Sequence, residues 1–148
     1  MKAYSTQNIR NVVLLGSTKS GKTTLSEAML YEGKVIDRRG TVEGKNTVSD
    51  NAEIEQINQR SVYATPLYAE FMDTKFNIID TPGADDFVGG AVSAFKVCDL
   101  GVLVVNAQQG VEVGTQIYAR YAKNYHIPLI VAVNQLDGEK ASWETTLE

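Results

Sequence analysis

The sequence is poor in several features, and each shortage excludes a class of protein. It has a single cysteine, Cys98, so it cannot form an internal disulfide, and it suits a reducing compartment. No apolar run approaches the ~20 residues of a membrane span, and residues 1–10 lack the apolar core of a signal peptide. The net charge of −4 argues against a domain that wraps nucleic acid. We therefore expect a cytoplasmic monomer that binds neither membranes nor DNA directly.

A phosphate-binding pattern is the most informative part of the chain. Residues 16–23 read Gly-Ser-Thr-Lys-Ser-Gly-Lys-Thr and fit G-x-x-x-x-G-K-[ST], with an apolar run before them and a helical stretch after them. Backbone N–H groups of such a loop form a nest for the β-phosphate, and the helix N-terminus adds positive potential. The residues expected to bind nucleotide here are Ser17, Thr18, Lys19, Ser20, Gly21, Lys22, Thr23 and Thr24.

Two side chains of this loop have the most definite chemistry. Lys22 can bridge the β- and γ-phosphates, which also makes it a candidate for catalysis. The hydroxyl of Thr23 can ligate Mg²⁺. A nucleotide and Mg²⁺ are therefore the expected cofactors.

The hydrophobic pattern predicts an α/β fold of the P-loop NTPase type. Buried strands and helical stretches alternate, which indicates a three-layer, doubly wound, mostly parallel sheet. A polar stretch, residues 32–60, shows little periodicity, and we expect a functional or mobile loop there. Strands are predicted at 11–15, 62–72, 76–79, 100–105 and 129–133, with Pro66 on an edge strand and a hairpin turn at 73–75. Helices are predicted at 22–31, 85–97 and 113–125.

Two polar segments follow the predicted strands where such sheets bind ligands. Asp80, directly after a strand, can hold Mg²⁺ through a water, and Gly83 can offer its N–H to a γ-phosphate. A further Mg²⁺ ligand should come from the long loop, where Ser61 is the best-placed hydroxyl. The alternative is that Ser61 merely starts a strand.

The segment Asn134-Gln135-Leu136-Asp137 indicates which base is bound. The Asp137 carboxylate can accept two hydrogen bonds from the N1–H and 2-amino groups of guanine, whereas adenine presents an acceptor and leaves the carboxylate unpaired. Asn134 would hold the neighbouring loops and the base edge. The pattern favours GTP and GDP over ATP, and so disfavours an ATP-using kinase or transporter.

Together these motifs resemble the GTP-binding domain of translational GTPases, in particular bacterial elongation factor G. The resemblance covers nearly the whole chain. The family patterns are matched as follows: A-H-x-D-A-G-K-T-T by residues 16–24, G-E-V-x-x-G by 40–44, D…E-Q-E-R-G-I-T-I by Asp50 and 55–62, D-T-P-G-H-x-D-F by 80–87, V-D-A-x-x-G-V-E by 105–112, and V-N-K-M-D by 133–137.

The resemblance implies how the chain is organised. Residues 1–148 would be the N-terminal part of a truncated G domain, and the remaining domains would lie outside the sequence. The segments implied are a phosphate loop at 16–23, a switch I region at 33–61, a switch II region at 80–90 and a guanine-specificity loop at 134–137. The implied partner is the ribosome, and the implied activity is GTP-driven translocation.

The departures from the family pattern concern hydrolysis. Ala84 stands where the family has the His that positions the attacking water, so the catalytic position is expected to be inactive. Loss of such a group typically costs ~10²–10⁴ in rate. Arg60, which replaces an apolar residue, could act as a charge-stabilising finger. Asp85 and Asp86 could orient water instead, although a carboxylate near a γ-phosphate is electrostatically poor, and their alternative role is to begin a helix.

Two further departures concern binding. Lys19 replaces an Asp that in the family helps to hold a monovalent cation, so its ammonium could replace that cation, or it could simply be solvated. Gln135 replaces a Lys whose stem covers the guanine ring, which predicts weaker base affinity. The leading hypothesis is a GTP-binding translation factor with impaired hydrolysis. The alternatives are an ordinary ribosome-stimulated GTPase with a substitute catalytic group, and a ribosome-binding or protection paralogue that does not translocate.

Overall fold

A computed structural model describes residues 3–147 as one five-stranded sheet flanked by helices. The sheet order is β2-β3-β1-β4-β5. The strands are β1 (Ile9–Leu15), β2 (Thr65–Phe71), β3 (Thr74–Asp80), β4 (Leu100–Asn106) and β5 (Leu129–Asn134). The α-helices are α1 (Lys22–Glu32), α2 (Glu53–Asn58), α3 (Val88–Phe95), α4 (Val113–Asn124) and α5 (Trp143–Leu147), and short 3₁₀ turns lie at Thr6–Asn8 and Asp85–Phe87.

Four parallel strands place the functional loops at one edge of the sheet. β1 pairs in parallel with β3 and β4, and β4 pairs in parallel with β5. Their register sets Leu14 opposite Asp80 and Asn106 opposite Asn134. Since the carboxyl ends of parallel strands meet at the same edge, the loops after β1, β3, β4 and β5 converge there.

The sheet is covered on both faces, which confirms the predicted three-layer architecture. Successive side chains of a strand point to opposite faces. Val13 and Leu15 therefore pack into one core with α3 and α4, while Val12 and Leu14 pack into another against α1. These four β1 side chains are nearly or completely buried, and burying each contributes roughly 1.5–3 kcal/mol.

The hairpin between β2 and β3 differs slightly from its prediction. β2 is antiparallel to β3 and lies at the sheet edge, so the expected edge position of Pro66 is confirmed. The turn lies at Met72 and Asp73, with φ of 47° and 59°, one residue before the predicted start. Two consecutive positive φ values are typical of the tight turns that join twisted strands.

The polar stretch at 32–60 is more structured than the sequence predicts. It contains the short helix α2, and β2 starts only at Thr65, after an irregular segment that includes Ser61. The expectation of an irregular segment throughout was therefore wrong for residues 53–58, and the alternative that Ser61 starts a strand was wrong as well. The predicted helix at 85–97 is also divided, since α3 begins at Val88 after the 3₁₀ turn.

The outer strand β5 has apolar side chains that face solvent. Ile130 and Val131 are each 54% exposed.

None of the helices within residues 3–147 combines the length and the apolar character needed to cross a membrane.

Candidate nucleotide-binding site

The phosphate loop folds tightly against the ends of β4 and β5. Gly16 and Gly21 have φ of 139° and 99°, which favour glycine. A Cβ at Gly16 would collide with the carbonyl oxygen of Val104, and a Cβ at Gly21 would collide with the side-chain amide of Asn134. Glycine at these two positions therefore allows both the positive φ values and the close approach of the phosphate loop to β4 and to Asn134.

Lys22, at the first turn of α1, holds its ammonium at the mouth of the loop. The side chain is 5% exposed, and Nζ donates to the carbonyl oxygens of Gly16 and Ser17, both at 2.9 Å. Burial lowers the pKa of Lys22 to about 8, although the nearby Asp80 carboxylate favours the charged form. A cation this strongly desolvated gains much by meeting an anion.

Gly83 lies next to the Lys22 ammonium and the backbone of the phosphate loop. A Cβ built on Gly83 would be 2.5 Å from Lys22 Nζ and 2.6 Å from the backbone nitrogen of Thr18. No side chain fits there, so three N–H-bearing groups predicted to bind phosphate converge on one small space.

The carboxylate of Asp80 is the centre of a cluster of hydroxyl groups. Its Oδ2 accepts hydrogen bonds from Thr23 Oγ1 at 2.8 Å and from Ser49 Oγ at 2.6 Å. Ser61 Oγ lies 3.2 Å from Thr23 Oγ1. Asp80 is fully buried, and its Oδ1 has no hydrogen-bond partner within the described part of the chain. Burial raises the pKa of Asp80, against the hydrogen bonds from Ser49 and Thr23.

This cluster fits Mg²⁺ by its chemistry. Mg²⁺ prefers oxygen ligands and is usually held by one or two carboxylates together with substrate phosphates. An unpartnered buried carboxylate oxygen costs about 1–3 kcal/mol or more, and a cation would offset that cost. The structure brings together all three predicted metal residues, Thr23, Ser61 and Asp80.

The sequence did not single out two other residues of this cluster. Ser49 has no motif that predicts a contact with Asp80, which is distant in the chain. Asp50 appears in the family pattern, but no role was inferred for it. Burial raises the pKa of Asp50 to about 6, while the nearby Ser61 hydroxyl favours its charged form. Neither oxygen of this buried carboxylate makes a hydrogen bond of ordinary length and angle with residues 3–147.

The loop after β5 is hydrogen-bonded to the phosphate loop. Asn134 Nδ2 donates to the carbonyl oxygen of Ser20, and Gln135 Nε2 donates to that of Lys19, both at 2.9 Å. Asn106, at the end of β4, donates from Nδ2 to Gln135 Oε1 at 2.9 Å. Asp137 follows in an exposed turn, so its carboxylate is accessible to a ligand.

A cavity of about 550 Å³ lies between the phosphate loop, Ser61 and Gln135, and Asp80, Asn134 and Asp137 do not line it. That volume suits a nucleotide-sized ligand. Arg60 and Gln135 line it, as do Val42 and Glu43 from the loop after α1. The predicted residues that line it are Thr18, Lys19, Gly21, Lys22, Thr23, Thr24, Ser61, Gly83 and Gln135.

The candidates for a substitute catalytic group are placed differently. Arg60 lines the phosphate cavity. Asp85 instead lines a separate groove with Val88 and Arg120, on the side of α4. Ala84 precedes the 3₁₀ turn, and its carbonyl oxygen accepts a hydrogen bond from the N–H of Phe87 at 3.0 Å. Its side chain is a methyl group, which offers the site no polar atom.

The family follows from comparison with known proteins. The family model described as the elongation factor Tu GTP binding domain matches residues 7–148. The chain belongs to this family. It is a G domain of the elongation factor G-like translational GTPases, as the motifs indicated, and guanine nucleotide binding follows from its membership.

Curated relatives have two kinds of name. An elongation factor G-like protein of Mycobacterium tuberculosis is 36% identical over 139 residues, 94% of this chain and 20% of that protein. An oxytetracycline resistance protein of Streptomyces rimosus is 39% identical over 132 residues, 88% of this chain and 20% of that protein. Elongation factor G of Dehalococcoides mccartyi is 32% identical over 146 residues, 99% of this chain and 21% of that protein. The G domain described here thus spans about a fifth of the length of these relatives.

Solved structures agree on the fold. A crystal structure of a Thermus thermophilus protein has a TM-score of 0.90 and 34% identity, over 94% of this G domain and 21% of that chain. Translation elongation factor SelB of Methanococcus maripaludis, solved with the GTP analogue GppNHp, has a TM-score of 0.68. At 21% identity, over 93% of this chain and 24% of that one, the second likeness supports the fold alone.

Proposed function

We propose that this G domain binds GTP and GDP with Mg²⁺ within a longer translation factor that promotes ribosomal translocation, and that its own GTP hydrolysis is impaired. The observation that carries the proposal is the position of Gly83. It abuts both Lys22 and Thr18, so the phosphate loop and the Asp80–Gly83 segment can meet on one γ-phosphate. The segment after β3 can then respond to the presence of that phosphate.

Each part of the site has its own task in this proposal. Lys22 exchanges its carbonyl partners for phosphate oxygens, and the N–H groups of residues 17–21 hold the β-phosphate. Thr23, Ser61 and Asp80 hold Mg²⁺, which neutralises charge on the phosphate oxygens when bound. Asp137 pairs with guanine, while Asn134 keeps the base loop against the phosphate loop.

Impaired hydrolysis rests on the chemistry of residue 84. A methyl group neither orients water nor accepts a proton, which removes a contribution of ~10²–10⁴ in rate. Asp85 lines the groove beside α4 and does not line the phosphate cavity. GTP binding would then act by ordering the segments around Ser61 and Gly83, a population shift in which hydrolysis is less important.

Arg60 keeps a second candidate open, an ordinary GTPase. Arg60 lines the phosphate cavity, where a guanidinium can stabilise charge in the transition state. In that case the ribosome or Arg60 compensates for Ala84.

The names of the relatives favour a third candidate. This G domain is as similar to an oxytetracycline resistance protein as to elongation factor G-like proteins. A ribosome-binding or protection factor that does not move tRNA is consistent with the same nucleotide site.

One experiment separates the first two candidates. Phosphate release from GTP is measured with ribosomes for the protein that carries this domain, for Ala84→His and for Lys22→Ala as a binding-deficient control. We expect negligible turnover in the parent and a gain in Ala84→His. Robust turnover in the parent would contradict impaired hydrolysis, and its loss in Arg60→Ala would assign the substitute group. A translocation assay with the same proteins distinguishes the third candidate.

A further inference from the structure

Two buried glutamates hold the segment between α1 and β2 in place. The first, Glu27, lies on the inner face of α1 and is 1% exposed. Its Oε2 accepts a hydrogen bond from the backbone N–H of Gly40 at 2.7 Å, and its Oε1 accepts one from Val48 at 2.6 Å. One carboxylate thus fixes two separate points of the same loop.

The loop between those points is closed on itself. The backbone N–H of Thr41 donates to Asn46 Oδ1 at 2.9 Å, and that of Gly44 donates to Thr41 Oγ1 at 3.0 Å. Gly40 lies so close to Asn46 and Thr47 that an added Cβ would collide with the Asn46 carbonyl. Residues 40–48 are therefore tied to one another, and Glu27 attaches them to α1.

The second glutamate, Glu55, organises the rest of the segment. It is also 1% exposed, and its Oε1 accepts from the N–H groups of Val62 at 2.9 Å and Tyr63 at 3.0 Å. Its Oε2 accepts from the N–H of Ala52 at 3.1 Å, which fixes the start of α2. Hydrogen bonds between a carboxylate and backbone N–H groups are about twice as strong as neutral ones.

Each attachment lies next to a member of the hydroxyl cluster around Asp80. Val48, held by Glu27, precedes Ser49, whose hydroxyl donates to Asp80. Val62, held by Glu55, follows Ser61, whose hydroxyl lies beside Thr23. Because α1 begins in the phosphate loop, Glu27 links that loop to the segment that closes over it.

We propose that Glu27 and Glu55 are positioning residues that clamp residues 40–63 over the phosphate end of the site. This inference rests on the proposed function, because it assigns the closing of the segment to these two carboxylates. Neither glutamate lines the cavity, so both act through Ser49 and Ser61. Loss of either glutamate should weaken binding of the nucleoside triphosphate far more than binding of the diphosphate, because the third phosphate needs the closed segment.

The test combines Glu27→Gln and Glu55→Gln with matched controls. Glutamine keeps the shape but places an NH₂ donor where a backbone N–H needs an acceptor. The controls are Glu32→Gln on α1 and Glu53→Gln on α2, which are exposed. Fluorescent GDP and a non-hydrolysable GTP analogue are titrated against each protein, and hydrogen exchange is followed by mass spectrometry in peptides that cover residues 40–63.

We expect Glu27→Gln to speed hydrogen exchange in residues 40–50 by about tenfold or more. It should also lower the affinity for the GTP analogue about ten- to hundredfold. GDP affinity should stay within about threefold, and the exposed controls should change neither quantity. Glu55→Gln should do the same with faster exchange in residues 52–63. Equal losses for both nucleotides, or exchange that does not change locally, would overturn the clamp.

Two results keep this test separate from the proposed function. If the parent binds neither nucleotide, the proposed function fails, whereas the exchange measurement still decides the clamp. If Glu27→Gln does not fold, the parent alone is decisive. The amides of Gly40 and Val48 must be protected together, and exchange at either amide as fast as in an unstructured peptide would refute the attachment.

Discussion

The side-chain amides of Asn106 and Gln135 meet at 2.9 Å, with Asn106 Nδ2 donating to Gln135 Oε1. Gln135 then uses its own NH₂ group to bond the carbonyl oxygen of Lys19 in the phosphate loop. Both ends of the Gln135 amide are therefore engaged, which fixes its orientation. In the resembling family the two positions carry Asp and Lys, so a neutral pair occupies the place of an oppositely charged one.

The first prediction concerns this pair. Gln135→Lys removes the acceptor that faces Asn106, and Asn106→Asp places a carboxylate against Gln135 Oε1, so each change breaks the contact between the two amides. Asn106→Asp should lower GDP affinity about three- to tenfold. In Gln135→Lys a lysine stem that can cover the guanine ring should offset part of that loss. The double variant should recover the loss, because the new charges attract. Titration of fluorescent GDP against all four proteins gives the coupling directly. Strictly additive losses would show that the pair does not connect the two loops.

The second prediction concerns the metal. Asp80→Asn keeps the size of the side chain but removes the charge, so the gain in nucleotide affinity on adding Mg²⁺ should fall by about tenfold or more. The matched control is Asp37→Asn, a carboxylate in the loop after α1 that is outside the cavity. Nucleotide affinities in Mg²⁺ and in a chelator provide the measurement. An unchanged Mg²⁺ effect in Asp80→Asn would place the ion elsewhere.

The sequence predicts those parts of this molecule that are determined by short, contiguous stretches of residues. Buried parallel strands and glycine-rich loops have strong local patterns. For this reason the sequence predicts the strand at 100–105, the phosphate loop, and the polar segments that directly follow the strands. Helix α2 was missed since its six residues, Glu-Ile-Glu-Gln-Ile-Asn, are mostly polar and too few to show a period.

Contacts between distant residues could not be inferred in this way. Nothing in the sequence around Ser49 indicates that its hydroxyl meets Asp80, which is 31 residues away. Likewise, the two backbone groups held by Glu27 have no side-chain signature at all, because any residue except proline supplies an N–H. Such contacts depend on how the long segment closes over the sheet edge.

The third prediction concerns pH. The pKa of Lys22 is lowered to about 8, so above that pH the free protein loses the proton, whereas a bound phosphate favours the ammonium. Binding then takes up a proton, and nucleotide affinity should fall as pH rises above 8, with a slope approaching about tenfold per pH unit.

The slope has a matched control in Lys22→Arg, whose guanidinium stays charged throughout this range. Affinity measured between pH 7 and 9, where guanine N1 keeps most of its proton, should decline in the parent above pH 8 and stay nearly level in the variant. Calorimetry at pH 8.5 in two buffers of different ionisation enthalpy should show proton uptake only in the parent. A parent without a slope would mean that Lys22 keeps its proton in the free protein over this range, which would contradict the lowered pKa.

The last prediction concerns the attachment of the segment after β3. Tyr118, on α4, is 1% exposed, and its hydroxyl donates to the carbonyl oxygen of Pro82 at 2.9 Å. Burial raises the pKa of Tyr118 to about 12, so the hydroxyl keeps its proton throughout the neutral range. Tyr118→Phe leaves a buried carbonyl unpaired, which should cost about 1–3 kcal/mol.

For a domain of this size each kcal/mol corresponds to about 2–4 °C in Tm. The control is Tyr125→Phe. The ring of Tyr125 stacks on that of Phe95, with centroids 5.8 Å apart, and the substitution retains this ring. Thermal unfolding should show a clear decrease for Tyr118→Phe and little change for Tyr125→Phe. Faster hydrogen exchange at residues 81–84 in Tyr118→Phe alone would localise the effect to the segment that carries Gly83. Equal Tm shifts in the two variants would contradict a specific role for the bond to Pro82.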